Sequence, residues 1–479
     1  MKKILSLSTL AFLSTSLLAS NDVQIQIDEL KQEILKLKKD QKRTKTTLNA
    51  VKAHDAYDNI KFNVEFRNAV DKLEYKDNKN NTTVKNDSLL TSRLFLNMAS
   101  APASGLMFKG KLAIYSTWGS HLYVDDAPLK SWSGSSKASD TLMRIKEAYF
   151  VYSNSIGEQP VSFSVGRRPA SNGFLANYRE NEKSSGSPLA HITNMEVDAA
   201  MVKLSWDRFI QGAYTKFVYG RAHTGEMNNV YAAGDTTQTL WGPYADRDTS
   251  AEDENVDFFV MPGNAYNNGQ YQIMYQWAHI FNTKGKALNG APYTASATST
   301  SPNYDARVVH KAASGTADLF SVGLKVEGIG EEISDFLDET TVFVSGAYTT
   351  YSADSGYSIL GSEDGASKSG SSVWAGIIMP DMMTESGKIG IEYNQGSKYW
   401  TPMTWAEDTA IGSKIAVRGS AIEAYWNFDL FGSKYLPSQV RYTRVQHDYT
   451  PNLNCAGWVT PTDTDITATN LRFFVAYQY

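Results

Sequence analysis

Apolar and polar residues alternate with period 2 along much of this chain. Phe62, Val64 and Phe66 alternate with Lys61, Asn63, Glu65 and Arg67, and Phe108, Leu112, Ile114 and Trp118 alternate with Lys109, Lys111 and Tyr115. In the last ten residues Leu471, Phe473, Val475, Tyr477 and Tyr479 form one apolar file, with Arg472, Phe474, Ala476 and Gln478 on the other face. That period belongs to β-strands. Charged residues on the second face require that it meets water, because a charge facing lipid costs a few kcal/mol at the bilayer midplane.

Sixteen such segments are expected, near residues 61–69, 89–99, 106–118, 143–153, 161–168, 199–206, 211–220, 256–261, 271–279, 319–327, 341–350, 373–380, 388–396, 414–427, 439–448 and 471–479. Connections after odd-numbered strands read as long and rich in Asp, Asn, Ser, Thr and Gly, and those after even-numbered strands as short. Long and short connections in alternation mark an up-and-down barrel with long external loops and short periplasmic turns. A soluble sandwich has no reason to keep its long loops at one end. The predicted fold is all-β, a transmembrane antiparallel up-and-down β-barrel of about sixteen strands over residues 58–479. One position breaks the pattern. Arg144 and Lys146 share a face opposite Met143, Ile145, Tyr149 and Val151, and Glu147 then falls on the lipid side, which implies a bulge or a register error there.

The first residues read differently. Met1-Lys2-Lys3, the apolar run Ile4 to Leu18 and Ala19-Ser20 have the form of a signal peptide over residues 1–20. Val23, Ile27, Leu30, Ile34 and Leu37 then fall at heptad spacing, and Leu48 and Val51 resume its phase past polar Gln41 and Thr44. A periplasmic coiled-coil helix over residues 21–54 is expected, with a lone amphipathic helix as the alternative. Ile at a and Leu at d favours dimers, whereas large barrels are commonly trimers. The expectation is a homo-oligomer, a trimer before a dimer.

Composition agrees with a barrel. The chain holds 27 Tyr, 20 Phe and 10 Trp, and rings with one wet end are favoured at a membrane interface. Its 46 basic and 51 acidic residues argue against nucleic acid as a partner. The single Cys455 excludes an internal disulfide framework, and the seven His residues show no close metal-ligand spacing. No cofactor and no catalytic residue is expected. An outer-membrane hydrolase stays open only through His279 and His121 near strand tops, and an adhesin presented by the long loops is the stronger alternative to transport.

Barrel closure brings the last strands beside the first. Arg67, Arg93, Arg418, Arg441 and Arg472 are then expected on one wall, joined by Lys109, Lys111, Arg144 and Lys146 as pore-lining residues. Such a ladder focuses field across a narrow pore and favours anions. The connection from Arg168 to Asp198 is the one expected to fold inward, with Arg168, Arg179, Glu180 and Glu182 at a constriction. The expected partners are outer-membrane lipid, the barrel-assembly machinery acting on the aromatic final strand, and small solutes or ions.

Three stretches carry a family resemblance. VSFSVGRRPASNG (Val161 to Gly173) with YREN (Tyr178 to Asn181), IGSKIAVRGSAIEAYW (Ile411 to Trp426) and VRYTRVQHDYT (Val440 to Thr450) resemble a domain-of-unknown-function family of Gram-negative outer-membrane porins. The resemblance implies a β-barrel porin in the outer membrane and assigns no site residue.

Overall fold

A strand that pairs on both sides leaves no open edge, and in lipid an open edge leaves backbone groups unsatisfied. This chain solves that problem by closure. The computed structural model describes residues 60–479 except 119–142, 224–254, 288–314, 452–459 and the single positions 183, 184, 187, 284, 331, 332, 364, 385 and 405. The signal peptide and coiled coil expected in residues 1–54 lie outside the described residues, as does His121.

Sixteen antiparallel strands form the wall. They are β1 (Lys61–Asp77), β2 (Thr82–Ala103), β3 (Leu106–Thr117), β4 (Met143–Ile156), β5 (Gln159–Ala170), β6 (Thr193–Ser205), β7 (Tyr214–His223) and β8 (Val256–Asn267). The second half comprises β9 (Tyr271–Ile280), β10 (Gly315–Glu327), β11 (Thr341–Ala353), β12 (Ser367–Pro380), β13 (Lys388–Gly396), β14 (Gly419–Asp429), β15 (Pro437–Tyr449) and β16 (Asp463–Gln478). Each pairs with its neighbours in sequence, and β16 closes on β1 from Glu65 opposite Gln478 to Asp77 opposite Ile466. Val64 and Tyr479 exchange two backbone hydrogen bonds, both 3.0 Å, to finish the seam.

The outer face carries the apolar file. Phe62, Phe66, Phe163, Phe320, Ile391, Tyr442, Leu471, Phe473 and Tyr477 are all exposed there. Higher on β1, β15 and β16 the same face turns polar, with Lys76, Arg444, Gln446, Thr467 and Thr469 around a shallow groove. Arg444 thus lies above the apolar zone, on the face opposite Arg441.

Two expectations are corrected. The connection after β1 is a tight turn over residues 78–81, and the strands run on past the apolar zone into a long hairpin. Polar residues such as Lys72, Glu74 and Lys85 read as loop in sequence, yet outside the bilayer both faces of a strand can be polar while its ladder continues. The fourteenth strand begins at Gly419 and not at Lys414, because residues 397–418 turn into the barrel.

The irregularity at Glu147 is a bulge. Lys111 lies opposite Glu147 but Leu112 lies opposite Ile145, so β4 carries one extra residue there. Both Lys146 and Glu147 reach the interior, where Glu147 meets Lys111 at 3.0 Å. Past the bulge the parity inverts. Tyr149, expected outside, is buried inside under the Arg168 guanidinium, 4.9 Å from its ring centre, and Val151 shares its face.

Candidate functional site: a charged partition inside the barrel

Two long connections enter the barrel. In residues 171–192, Phe174, Leu175, Leu189 and Ala190 are fully buried against Met274, Phe343 and Trp374 of the wall, and Ile192 is buried in the cluster that holds Phe258 and Leu319. These apolar residues leave water by folding inward, at about 25 cal/mol per Å² buried. Gly173 permits the fold, since a Cβ there would sit 2.1 Å from the Pro188 carbonyl oxygen. Residues 397–418 follow the same logic through Trp400, Ile411, Ile415 and Val417. Here the wall yields at Gly370, where a Cβ would come within 2.3 Å of the Trp400 amide nitrogen.

His191 pins both connections to the wall. Its Nδ1 lies 2.8 Å from Ser345 Oγ and its Nε2 3.0 Å from Ser372 Oγ, with Trp374 and Trp400 edge-on to the ring. Burial pushes its pKa down to about 3, so the ring is neutral. The two connections also bind each other. Met403 donates its amide to the Ile192 carbonyl at 3.0 Å, and next to it Ala406 donates to the carbonyl of Asn194, at the start of β6, at 2.8 Å.

The charged residues of these connections meet the arginines of the wall. Asp408 accepts from Arg67, from Arg93 at 2.7 Å and from Arg472 at 3.1 Å. Its backbone carbonyl accepts from Arg441 at 2.7 Å and from Arg472 at 3.0 Å. Arg472 also grips Asp71 through two hydrogen bonds of 2.8 and 3.1 Å, and Arg93 pairs with Glu65. Burial by itself raises the Asp408 carboxyl, but Arg67, Arg93 and Arg472 outweigh it and hold it well below the usual carboxylate range. Beside this cage Arg179 donates to Glu180 at 2.9 Å and to Glu407 at 2.8 Å. Lys414 closes the far side between Glu423 and Glu392.

Four of the five ladder arginines therefore converge. Arg418 does not. Its guanidinium donates to Trp400 O at 2.9 Å, Thr401 Oγ1 at 2.8 Å and Thr450 O at 3.1 Å, so it ties residues 397–418 to the end of β15. It departs because it precedes β14 and never enters that strand's register. Arg168 also lies elsewhere. It lines a small apolar cavity of about 60 Å³ with Lys216, Met195, Phe258 and Leu319. Lys109 is exposed near the short β2–β3 turn.

Two cavities flank the partition, the larger mainly polar and the smaller mainly apolar in lining. One, of about 790 Å³, opens toward the end bearing the short turns, where it reaches Pro437 and Gln478. Arg93, Lys111, Arg144 and Lys146 line its wall side, and Glu180, Glu182 and Asp408 line the side formed by the inward connections. Three cations surround one ring there, with Arg93, Lys111 and Lys146 at 4.2, 5.3 and 6.0 Å from the Phe95 centre. The other cavity, about 520 Å³, lies toward the long-loop end beside Asp77, Thr82 and Pro451. Glu407 and Thr409 line both, so residues 407–409 stand between them.

Sequence reasoning missed Glu407, Asp408 and Lys414. The available signal was composition: Tyr399, Trp400, Trp405 and Ile411 are too apolar for a connection that stays in water. Among the described residues no group of three His, Cys, Asp or Glu is placed to hold a metal ion. His279 Nδ1 meets Asp318 at 2.9 Å on the outer face, and among the described residues no Ser or Thr hydroxyl hydrogen-bonds its Nε2.

The chain is similar to several solved structures. They include the trimer form of OmpT, an outer membrane protein of Vibrio cholerae, at 10% identity over 88% of this chain and 99% of that one, with a TM-score of 0.45. An anion-selective porin from Comamonas acidovorans matches at 12% identity over 88% of this chain and 100% of that one, with a TM-score of 0.46. OprB of Pseudomonas putida matches at 11% over 88% and 94%, with a TM-score of 0.45. Curated proteins give no match. The model of a protein family of unknown function, DUF3373, matches residues 83–476, and the chain belongs to that family.

Proposed function

We propose that this chain is an outer-membrane diffusion channel that passes small hydrophilic solutes and ions. The observation that carries the reading is the pair of cavities, about 790 and 520 Å³, which share Glu407 and Thr409 as lining residues. A solute would travel from the long-loop mouth through the smaller cavity, past residues 407–409, and out through the larger one. A sixteen-stranded barrel is wide enough for an aqueous channel even after part of its lumen is filled. The belt of exposed aromatic and aliphatic residues on the outer wall suits contact with lipid.

Selectivity in this reading is weak. Arg67, Arg93, Arg441 and Arg472 would favour anions if they stood alone. Asp71, Glu65, Asp408 and Glu180 sit among them and offset most of that field. Arg144, Lys111 and Lys146 on the wall of the larger cavity would then tilt the balance toward anions. The chain needs no catalytic residue or cofactor for this role. The same proposal includes a signal peptide, a periplasmic coil, a trimeric assembly and recognition of the final strand by the barrel-assembly machinery.

Planar-bilayer recording of the purified, folded protein tests the reading. Stable, stepwise openings are expected. A folded barrel that never conducts would leave adhesion through the long loops as the function.

A further inference from the structure

The cage around Asp408 is built like a receptor for an oxyanion and is filled from within. Three guanidinium groups share one carboxylate, and a fourth holds its backbone carbonyl. Arginine does not lose its proton in a protein, so the cage cannot neutralise itself. Guanidinium groups match carboxylate and phosphate oxygens in geometry as well as charge. The cage also holds donors that Asp408 leaves unused. Arg93 Nε is buried and makes no hydrogen bond among the described residues, while Arg441 Nε faces only Glu423 Oε2, at 3.9 Å.

The resident carboxylate is the exposed member. The Asp408 side chain is 24% exposed, whereas those of Arg67 and Arg472 are 5% exposed. It therefore caps the cage on the side of the larger cavity, which it lines. It also stands on a stretch without regular secondary structure, residues 406–409. Asp408 is thus a tethered ligand, competing for the arginines from within the same chain.

Resting on the channel reading, we infer that the arginine cage is a binding site for the carboxylate or phosphate group of a passing solute, which exchanges with Asp408. When the solute anion takes the three arginines, the Asp408 carboxylate is released toward the cavity and residues 407–409 keep only one hold on the wall, that of Arg441 on the Asp408 carbonyl. The solute thereby loosens the partition that it must pass. Only hydrogen bonds and ion pairs are exchanged.

The test is block of chloride current by inorganic phosphate and, in a separate arm, by succinate. Asp408→Asn removes the competing charge at nearly constant shape. Half-block in D408N is expected at a concentration at least tenfold lower than in the unaltered protein, and Arg67→Gln in the D408N background should reverse the gain. The arm with the lower half-block identifies phosphate or carboxylate as the preferred group. Equal half-block in all three proteins would overturn the inference while leaving the channel intact. Calorimetric titration of phosphate into the detergent-solubilised folded protein reads the site without conduction. Tighter binding to D408N supports the site even if no protein conducts, in which case only the channel reading fails. Should D408N not fold, Arg67→Gln alone must weaken phosphate binding at least tenfold relative to the unaltered protein. Unchanged binding would sink the idea.

Discussion

The two halves of the barrel interior follow opposite rules. Along β6 to β13 the inner wall is largely apolar, and residues 171–192 and 397–418 pack on it around Trp374, Trp400, Phe258 and Leu319. That half resembles the core of a soluble protein turned inside a membrane barrel. Along β14 to β16 and β1 to β4 the interior holds the ion pairs and the larger cavity. The dry half supplies the energy that draws the two connections inward. The charged half uses their position, because Glu407 and Asp408 can reach the arginines only once Trp400 and Ile415 are seated. The charged partition thus rests on a hydrophobic anchor on the opposite wall.

Breaking the anchor should have the largest effect. Trp400→Ala removes a fully buried ring and its hydrogen bond to the Ile415 carbonyl, 2.8 Å. A loss of about 3–5 kcal/mol is expected, as for other buried aromatic deletions. Denaturant unfolding in detergent would show it as a lower midpoint, and single-channel conductance should rise because residues 397–418 lose their seat. An unchanged midpoint would mean that the apolar half does not anchor the partition.

Cutting the link between the two connections comes next. Arg179→Ala leaves Glu407 and Glu423 facing each other in a buried site. Stranding buried charges costs about 3 kcal/mol or more. The Glu407→Gln change added to Arg179→Ala should recover part of the loss, because Glu423 keeps Lys414 whereas Glu407 pairs with no other cation among the described residues, and the same unfolding measurement reads it. Lack of any recovery would refute charge stranding as the cause.

Acid should act on the dry half through His191. Its folded pKa is near 3, below the ordinary unfolded value of about 6.5. Between those values the unfolded chain binds a proton that the folded chain does not, so this contribution to stability is complete above pH about 6.5 and falls as pH drops toward 3. His191→Gln should flatten the slope of unfolding free energy against pH in that window. An unaltered slope would place the acid sensitivity elsewhere.

Selectivity sharpens the charged half. Lys146→Gln in the larger cavity should move the reversal potential in a salt gradient toward cations by a few millivolts, and Glu196→Gln should move it the other way. Identical potentials would mean that ions do not pass this wall. The smallest effect is expected outside the barrel interior. Lys72 and Asp87 pair at 3.5 Å with both side chains mostly exposed, and Lys72→Ala should shift stability by less than about 0.5 kcal/mol.

Much of the wall was legible in advance. Period 2 with charge on one face located all sixteen strands, and the misplaced Glu147 marked the bulge of β4. What misled was polarity above the membrane zone, where Lys72 and Glu74 continue a strand, and apparent alternation after Lys414, where the chain is still inside the barrel. The partition was half legible. Arg67, Arg93, Arg441 and Arg472 could be placed on neighbouring strands from closure alone, but Asp408 could not, because nothing local marks an acidic pair in a connection as the partner of a distant wall.

That division has a physical reason. Alternation is imposed residue by residue, since each strand must show one face to lipid and one to the interior, so the sequence by itself determined the barrel and the faces of the strands that alternate cleanly, up to the bulge at Glu147. Pairing is imposed by the whole fold. Arg472 meets Asp71 across 401 positions and Arg67 meets Asp408 across 341, and only closure of β16 on β1 with Trp400 seated opposite brings these groups together. The net field of the lumen was therefore decided by tertiary structure alone.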